Sequence, residues 1–122
     1  MSYQLTIEER PTYVYARVDG DLTPENALRF LEEAYAACLR SGRPDVLLDM
    51  QLRGPNLATT SVYEVISQRA ADGSKLGKIA YVPYEADDRS MAYFAETVAV
   101  NRGVNVRLFE SVAAAERWLS EP

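Results

Sequence analysis

The run Val46-Leu47-Leu48-Asp49-Met50 predicts the central strand of a sheet. It is almost continuously apolar, which is typical of a strand buried on both faces of a largely parallel sheet. A second apolar run, Ile79-Ala80-Tyr81-Val82, ends at Pro83 and predicts another inner strand. The segment between the two runs has the periodicity and length of a helix, so the two strands are expected to be parallel.

Four helices are predicted around these strands. The first has Thr23 as its N-cap, Pro24 at its first position and Gly42 at its end. The other three are expected to begin after side chains that commonly cap helices, in chain order Thr60 or Ser61, Asp87 or Asp88, and Ser111.

Two segments that alternate polar and apolar residues, 3–7 and 12–18, precede the first helix. They are predicted to pair as antiparallel strands near the edge of the sheet. Tyr13 and Tyr15 fall on the outer face of this N-terminal hairpin. An exposed aromatic pair of this kind would favour a homodimer formed through the hairpin.

With a last alternating strand at residues 104–109, the predicted order is β-β-α-β-α-β-α-β-α. This is an α/β fold: an N-terminal antiparallel hairpin followed by right-handed β-α units, giving a mixed, mostly parallel five-stranded sheet. The chain has 122 residues, 48% of them hydrophobic, and is expected to fold as a single domain over residues 1–122.

Composition excludes several classes of function. A net charge of -5 would repel polyphosphate and anionic lipid, so neither nucleic acid nor a membrane is an expected partner. The sequence has neither an export signal nor an apolar stretch of roughly 20 residues, which predicts a cytoplasmic protein. Without histidine, and with Cys38 as the single cysteine on a buried helix stripe, Ser-His-Asp and Cys-His catalysis are excluded. No metal site and no cofactor is expected.

Two stretches carry a family resemblance: the strand at 46–50 with its loop into the second helix, and residues 101–109, which lead into a last helix closing with Trp118-Leu119. With these two stretches, its N-terminal hairpin and its repeated helix-strand units, the chain resembles the SpoIIAA-like fold. This fold is shared by STAS domains and their relatives among anti-sigma factor antagonists. The likeness spans nearly the whole chain. The second stretch is similar to the final helix-to-strand junction of small, mostly uncharacterised bacterial SpoIIAA-like proteins.

Family members that act as phosphorylation switches carry an Asp-Ser-Ser-Gly-like motif at the start of the second helix, with the serine as phosphate acceptor. Counting from Asp49, the motif would fall on Leu57-Ala58-Thr59-Thr60, which lacks the acidic residue and the glycine. The resemblance implies Thr59 as the best match to the acceptor, with Thr60 and Ser61 as alternatives. The helix dipole would stabilise a phosphate there, although helix capping alone is the favoured role of these hydroxyls.

The loops that follow the strands are expected to share one edge of the sheet, where ligands of parallel α/β folds usually bind. These loops are residues 19–23, 53–61, 83–89 and 110–111. They mix apolar and polar side chains, which suits a protein partner or a partly apolar small ligand. The predicted binding residues are Arg53, Asn56, Leu57, Thr59, Thr60, Tyr84, Asp87 and Arg89.

Three functions remain open. The favoured one is a non-enzymatic binding or regulatory module that recognises a protein or small ligand through these loops. The alternative is a phosphate-accepting switch at Thr59, Thr60 or Ser61. The least favoured is a small enzyme that uses Asp49 with Arg53 or with the nearby carboxylates. A structural role for Asp49, paired inside an apolar strand, is the better interpretation.

Overall fold

The computed structural model describes residues 3–84 and 89–121, and helices and strands follow one another there in the predicted order. In chain order the elements are β1 (Tyr3–Glu9), β2 (Val14–Asp21), α1 (Pro24–Ser41), β3 (Val46–Arg53), α2 (Thr59–Gly73), β4 (Ile79–Val82), α3 (Ser90–Asn101), β5 (Val106–Leu108) and α4 (Val112–Leu119).

The five strands lie in the order β1-β2-β3-β4-β5. β1 pairs with β2 in antiparallel orientation, and every other neighbouring pair is parallel. The longest parallel pairing runs from Val14 opposite Val46 to Asp21 opposite Arg53. The predicted α/β fold with a mixed, mostly parallel sheet is therefore confirmed.

Helices cover both faces of the sheet. Residues of α1, α2 and α3 pack in one large apolar cluster with alternate strand residues, among them Val14, Val46 and Ile79, which are fully buried. α4 packs on β3 and β4 from the opposite face, in a smaller cluster that contains Leu47 and Trp118. Since alternate residues of a strand point to opposite faces, the near-continuous apolar runs of β3 and β4 are explained by this double covering.

The first helix begins and ends as its sequence predicts. Thr23 is the N-cap, and its hydroxyl accepts a hydrogen bond of 3.1 Å from the backbone N–H of Asn26. Pro24 follows at the first helical position. Gly42 ends the helix with φ of 70°, a left-handed conformation that costs glycine little, and its N–H bonds the carbonyl of Cys38.

The beginnings of the other three helices agree with the prediction to different degrees. α2 is capped by Ala58 with no side-chain hydrogen bond, so the prediction that Thr60 or Ser61 caps this helix is wrong. α3 begins at Ser90 with Arg89 as its N-cap. Asp87 and Asp88, the predicted caps of this helix, lie outside the described residues. The Ser111 cap of α4 is confirmed by a 3.1 Å hydrogen bond from the N–H of Ala114.

The outer face of the hairpin is not the exposed aromatic surface that the sequence predicts. Tyr13 is only 8% exposed because it packs in the α4 cluster, where its hydroxyl donates to Glu116 at 2.6 Å. The Tyr15 ring is half-buried against the same cluster. The exposed aromatic pair is therefore absent, and a homodimer through the hairpin stays a prediction.

Candidate functional site

The carboxyl ends of β2 to β5 lie along one edge of the sheet, because these four strands are parallel. The loops that follow β3 and β4 meet there. The Arg53 guanidinium carbon lies 4.8 Å from the centre of the Tyr84 ring, a distance suited to a cation-π contact. This edge therefore brings together chain segments about thirty residues apart, as the parallel topology predicts.

A cavity of about 80 Å³ lies behind this edge, between the sheet and the helices α1, α2 and α3. Most side chains that line it are apolar, and they come from the sheet, the loops and all three of these helices. The most informative are Leu48, Met50, Ile79 and Tyr81 of the sheet, Val62, Val65 and Ile66 of α2, Met91 and Ala95 of α3, and Leu22 and Leu57 of the loops.

The cavity exists because α2 stands away from the sheet. This helix contacts α1 and α3, whereas no residue of the described strands has a Cα within 8 Å of a Cα of α2. Side chains of α2 therefore reach toward the strands without closing the space between them. Protein interiors are otherwise packed about as densely as organic crystals, so a space of this size is a distinct feature of the fold.

The two charged side chains that line the cavity are already paired. Arg69 donates to the carbonyl of Leu28 and to Glu32, each at 3.2 Å. Glu96 accepts a 2.7 Å hydrogen bond from the backbone N–H of Leu108. Since both charges have partners, the cavity presents an apolar interior to anything that enters it.

A second pocket of about 110 Å³ adjoins the cavity at the strand ends. The two spaces share four lining residues, which are Leu22, Met50, Tyr81 and Met91. The second pocket is also lined by loop residues, among them Asn56, Tyr84 and Arg89. It therefore forms a more polar vestibule in front of the apolar cavity; we call it the vestibule below.

Two polar groups of the vestibule are not well satisfied. The Tyr81 hydroxyl donates to the Met50 sulfur at 3.6 Å, and a thioether is a weak acceptor. The Nη1 atom of Arg89 is shielded from solvent and has no hydrogen-bond partner among the described residues. Burial raises the pKa of Tyr81 to about 12, and the positive charge of Arg89 opposes that rise.

The structure gathers most of the predicted binding residues at these two spaces. Asn56, Tyr84 and Arg89 line the vestibule, Leu57 lines the cavity, and Arg53 stacks on Tyr84 at the rim. Thr59 and Thr60 are exposed in the first turn of α2 and line neither space. Asp87 lies outside the described residues.

Sequence reasoning missed the residues that make the cavity. Met50, Tyr81 and Met91 stand on apolar stripes, and such stripes are typical of a closed core. One signal was present: Tyr81 places a hydroxyl in an otherwise apolar strand, and a buried hydroxyl needs a partner.

Asp49 lies away from this site. Its neighbours Leu48 and Met50 line the cavity, so the Asp49 side chain points to the opposite face of the sheet. It is 3% exposed and is contacted by Tyr15, Gln51 and Arg17. The expected structural role of this carboxylate agrees with these contacts.

Residues 3–84 and 89–121 offer neither a metal site nor a membrane-spanning helix. They contain no group of three or more carboxylate or cysteine side chains placed to hold a metal ion. None of the helices in this part of the chain has the length and apolar character required to cross a bilayer.

Comparison with known proteins identifies the family. The family described as SpoIIAA-like matches residues 13–120. Among solved structures, the chain is similar to an uncharacterised protein of the DUF3478 family with a SpoIIAA-like fold from Shewanella loihica PV-4. The TM-score is 0.58 and the identity 18%, over 96% of this chain and 93% of that one. No curated protein matches the sequence. The chain therefore belongs to the SpoIIAA-like family.

Proposed function

We propose that this protein is a non-enzymatic binding module that holds a small, largely apolar ligand at the strand-end edge, in the cavity between the sheet and α2. The observation that carries the proposal is the cavity itself, about 80 Å³ of apolar space that continues into the vestibule. Ligand sites are typically concave and apolar, with a few polar groups that fix orientation.

The size of the cavity sets what it accepts. An engineered cavity of about 150 Å³ lined by apolar side chains binds benzene and stays free of water. The space of about 80 Å³ here takes a short alkyl chain, which then extends into the vestibule. Because α2 packs on α1 and α3 and none of its Cα atoms lies within 8 Å of a Cα of the described strands, a small outward movement of α2 enlarges the cavity without breaking the sheet.

The non-enzymatic part of the proposal is supported by the buried polar groups. Asn26 and Asp49 are the buried polar or charged residues among those described. Asn26 donates to the carbonyl of Asp21, and both Asp49 oxygens accept hydrogen bonds. Neither group lines the cavity or the vestibule.

A matched pair of substitutions on α2 tests the proposal. Ala70 lines the cavity and is 7% exposed, whereas its neighbour Ala71 is exposed. Titration with 1-octanol, followed by NMR of the backbone amides, is expected to shift signals of cavity residues. Ala70→Leu fills the space and is expected to weaken octanol binding at least tenfold, while Ala71→Leu leaves it unchanged.

A second variant that fills the cavity keeps the test decisive if Ala70→Leu does not fold. Ala95 lines the cavity from α3, and Ala95→Val adds a smaller group there. Both variants are checked by circular dichroism before titration. If octanol shifts only signals away from the cavity, or binds the two filled variants as well as the parent, the proposal is wrong.

The phosphate-accepting switch is a second candidate, and one observation favours it. Thr59 and Thr60 are exposed, and the N-cap of α2 makes no side-chain hydrogen bond, so neither hydroxyl is occupied by capping. A phosphate there meets the positive end of the helix dipole. Mass spectrometry of the protein from its native cells tests it: absence of phosphate on Thr59, Thr60 and Ser61 in the presence of a cognate kinase contradicts the idea.

A further inference from the structure

Two buried side-chain polar atoms lack a hydrogen-bond partner among the described residues, Ser67 Oγ and Arg89 Nη1, and only the second belongs to a charged group. The Arg89 Nη1 atom is shielded from solvent, although Arg89 lines the vestibule. A buried N–H without a partner costs about 1 to 3 kcal/mol, and more when the group is charged. Natural structures therefore pair nearly all such groups, and an exception needs an explanation.

The chemistry around Arg89 is suited to an anion. Arg89 is the only charged residue that lines the vestibule in the described part of the chain, and the cation Arg53 stands at its rim on the Tyr84 ring. The Tyr81 hydroxyl is held only by a weak sulfur acceptor, so it is free to donate to a stronger one. Asn56 adds an amide to the same lining.

We propose that the ligand of this site is an alkyl carboxylate, whose chain lies in the apolar cavity and whose carboxylate binds Arg89 and Tyr81 in the vestibule. This rests on the proposed function, and it adds the chemical class of the ligand. The four residues shared by the two spaces make a continuous path from the apolar interior to the guanidinium. A guanidinium offers a fork of N–H donors that matches the two oxygens of a carboxylate.

The geometry requires one adjustment. Because Nη1 is shielded from solvent, the guanidinium turns toward the vestibule when the carboxylate binds. The long arginine side chain allows this by rotation of its χ angles, without movement of the backbone. Partial burial of the paired charges in the vestibule then strengthens their attraction relative to bulk water.

Three probes of equal chain length test the head group: octanoate, 1-octanol and octylammonium, each titrated at about pH 7.5, where the carboxylate is ionised. Octanoate is expected to bind about tenfold more tightly than 1-octanol, and octylammonium more weakly than either. Arg89→Gln is expected to remove the advantage of octanoate and leave octanol binding within about twofold of the parent.

The matched control is Arg102→Gln. Arg102 is exposed at the other end of α3, where its guanidinium carbon lies 4.7 Å from the centre of the Tyr63 ring. This substitution removes the same charge, so it measures the long-range effect of net charge, and octanoate binding is expected to stay close to that of the parent. Arg89→Lys keeps the charge but loses the fork, and serves as the second variant if Arg89→Gln does not fold.

The outcomes separate this inference from the proposed function. If octanoate and octanol bind equally well, Arg89 has its partner within the chain and the inference that it binds a carboxylate is wrong. The proposed apolar ligand site is unaffected by that result. Equal weakening by Arg89→Gln and Arg102→Gln also overturns the assignment, because the effect is then one of net charge alone. If none of the three probes binds, the proposed function fails together with the inference.

Discussion

The hydroxyl of Tyr15 donates a hydrogen bond of 2.6 Å to Oδ2 of Asp49, and thereby joins β2 to β3 on the sheet face that carries α4. The other carboxylate oxygen accepts from the Gln51 amide at 2.8 Å, and Arg17 lies 3.8 Å from Oδ2. A buried charge is tolerated when it is both paired and hydrogen-bonded, and Asp49 meets both conditions.

The first prediction concerns this hydrogen bond. Tyr15→Phe removes the donor and leaves a buried carboxylate short of one partner, so the free energy of unfolding is expected to fall by about 2 kcal/mol. Urea unfolding followed by circular dichroism measures the loss. Tyr93→Phe is the control, because Tyr93 is 56% exposed and its change is expected to stay within about 0.5 kcal/mol. A similar small change for Tyr15→Phe would mean that water replaces the lost donor.

Buried tyrosines predict a loss of stability in alkali. Burial raises the pKa of Tyr13 and of Tyr15 to about 12, and hydrogen bonds to the carboxylates Glu116 and Asp49 add to the rise. Burial also raises the pKa of Tyr81 to about 12. An unfolded tyrosine loses its proton near pH 10, so the unfolded chain binds fewer protons than the folded one between about pH 10 and pH 12.

The contribution of these tyrosines to the free energy of unfolding is therefore expected to be fully present below about pH 10. It is expected to be lost progressively as the pH rises from there to about 12. Urea midpoints measured across this range, together with the phenolate absorbance, check the expectation. Burial also raises the pKa of Tyr3 and Tyr35, so Tyr15→Phe removes one of five such groups and is expected to make the decrease shallower. A midpoint that stays constant up to about pH 12 would contradict the burial of these hydroxyls.

The two threonine positions at helix starts allow a third prediction. Thr23 caps α1 through a hydrogen bond from the Asn26 N–H, and Thr23→Ala is expected to cost about 1 kcal/mol of stability. Thr60 is exposed in α2, which is capped by Ala58, so Thr60→Ala is expected to change stability by less than about 0.5 kcal/mol. Equal losses for the two variants would show that Thr60 has a role that its position does not indicate.

These caps also show how far the sequence predicts the fold. Thr23, Pro24 and Gly42 bracket α1 as predicted, because each signal there is reinforced by a strong apolar stripe. At the start of α2 several residues with hydroxyl side chains follow one another, and the general preference of such residues for the N-cap position does not determine which of them caps the helix. Water can also satisfy the first backbone N–H groups of an exposed helix start, so a side-chain cap is not required. The helix begins earlier than predicted, after Ala58.

The candidate site could be predicted only in part, for a related reason. Parallel strands dictate that the loops carrying Asn56, Tyr84 and Arg89 meet at one edge, so topology was sufficient for these three. Periodicity shows that Val65 and Met91 face inward, but not that α2 stops short of the sheet and leaves a cavity between them. The burial of Tyr13 under α4 could not be predicted either, because the alternation of side chains in β2 does not show on which face of the sheet the last helix packs.

The single cysteine gives the fourth prediction. Cys38 is 2% exposed in α1, and burial together with the nearby charge of Asp45 raises the pKa of its thiol to about 11. The thiolate is the reactive form, so both its access to reagent and its population are reduced in the folded protein. Labelling with iodoacetamide near neutral pH is expected to be at least a hundredfold slower in the folded protein than in urea-unfolded protein. Folded-state labelling should then accelerate with added denaturant, since the thiol becomes accessible only when the α1 cluster opens. Rapid labelling of the folded protein, independent of denaturant, would contradict the placement of Cys38 in the core.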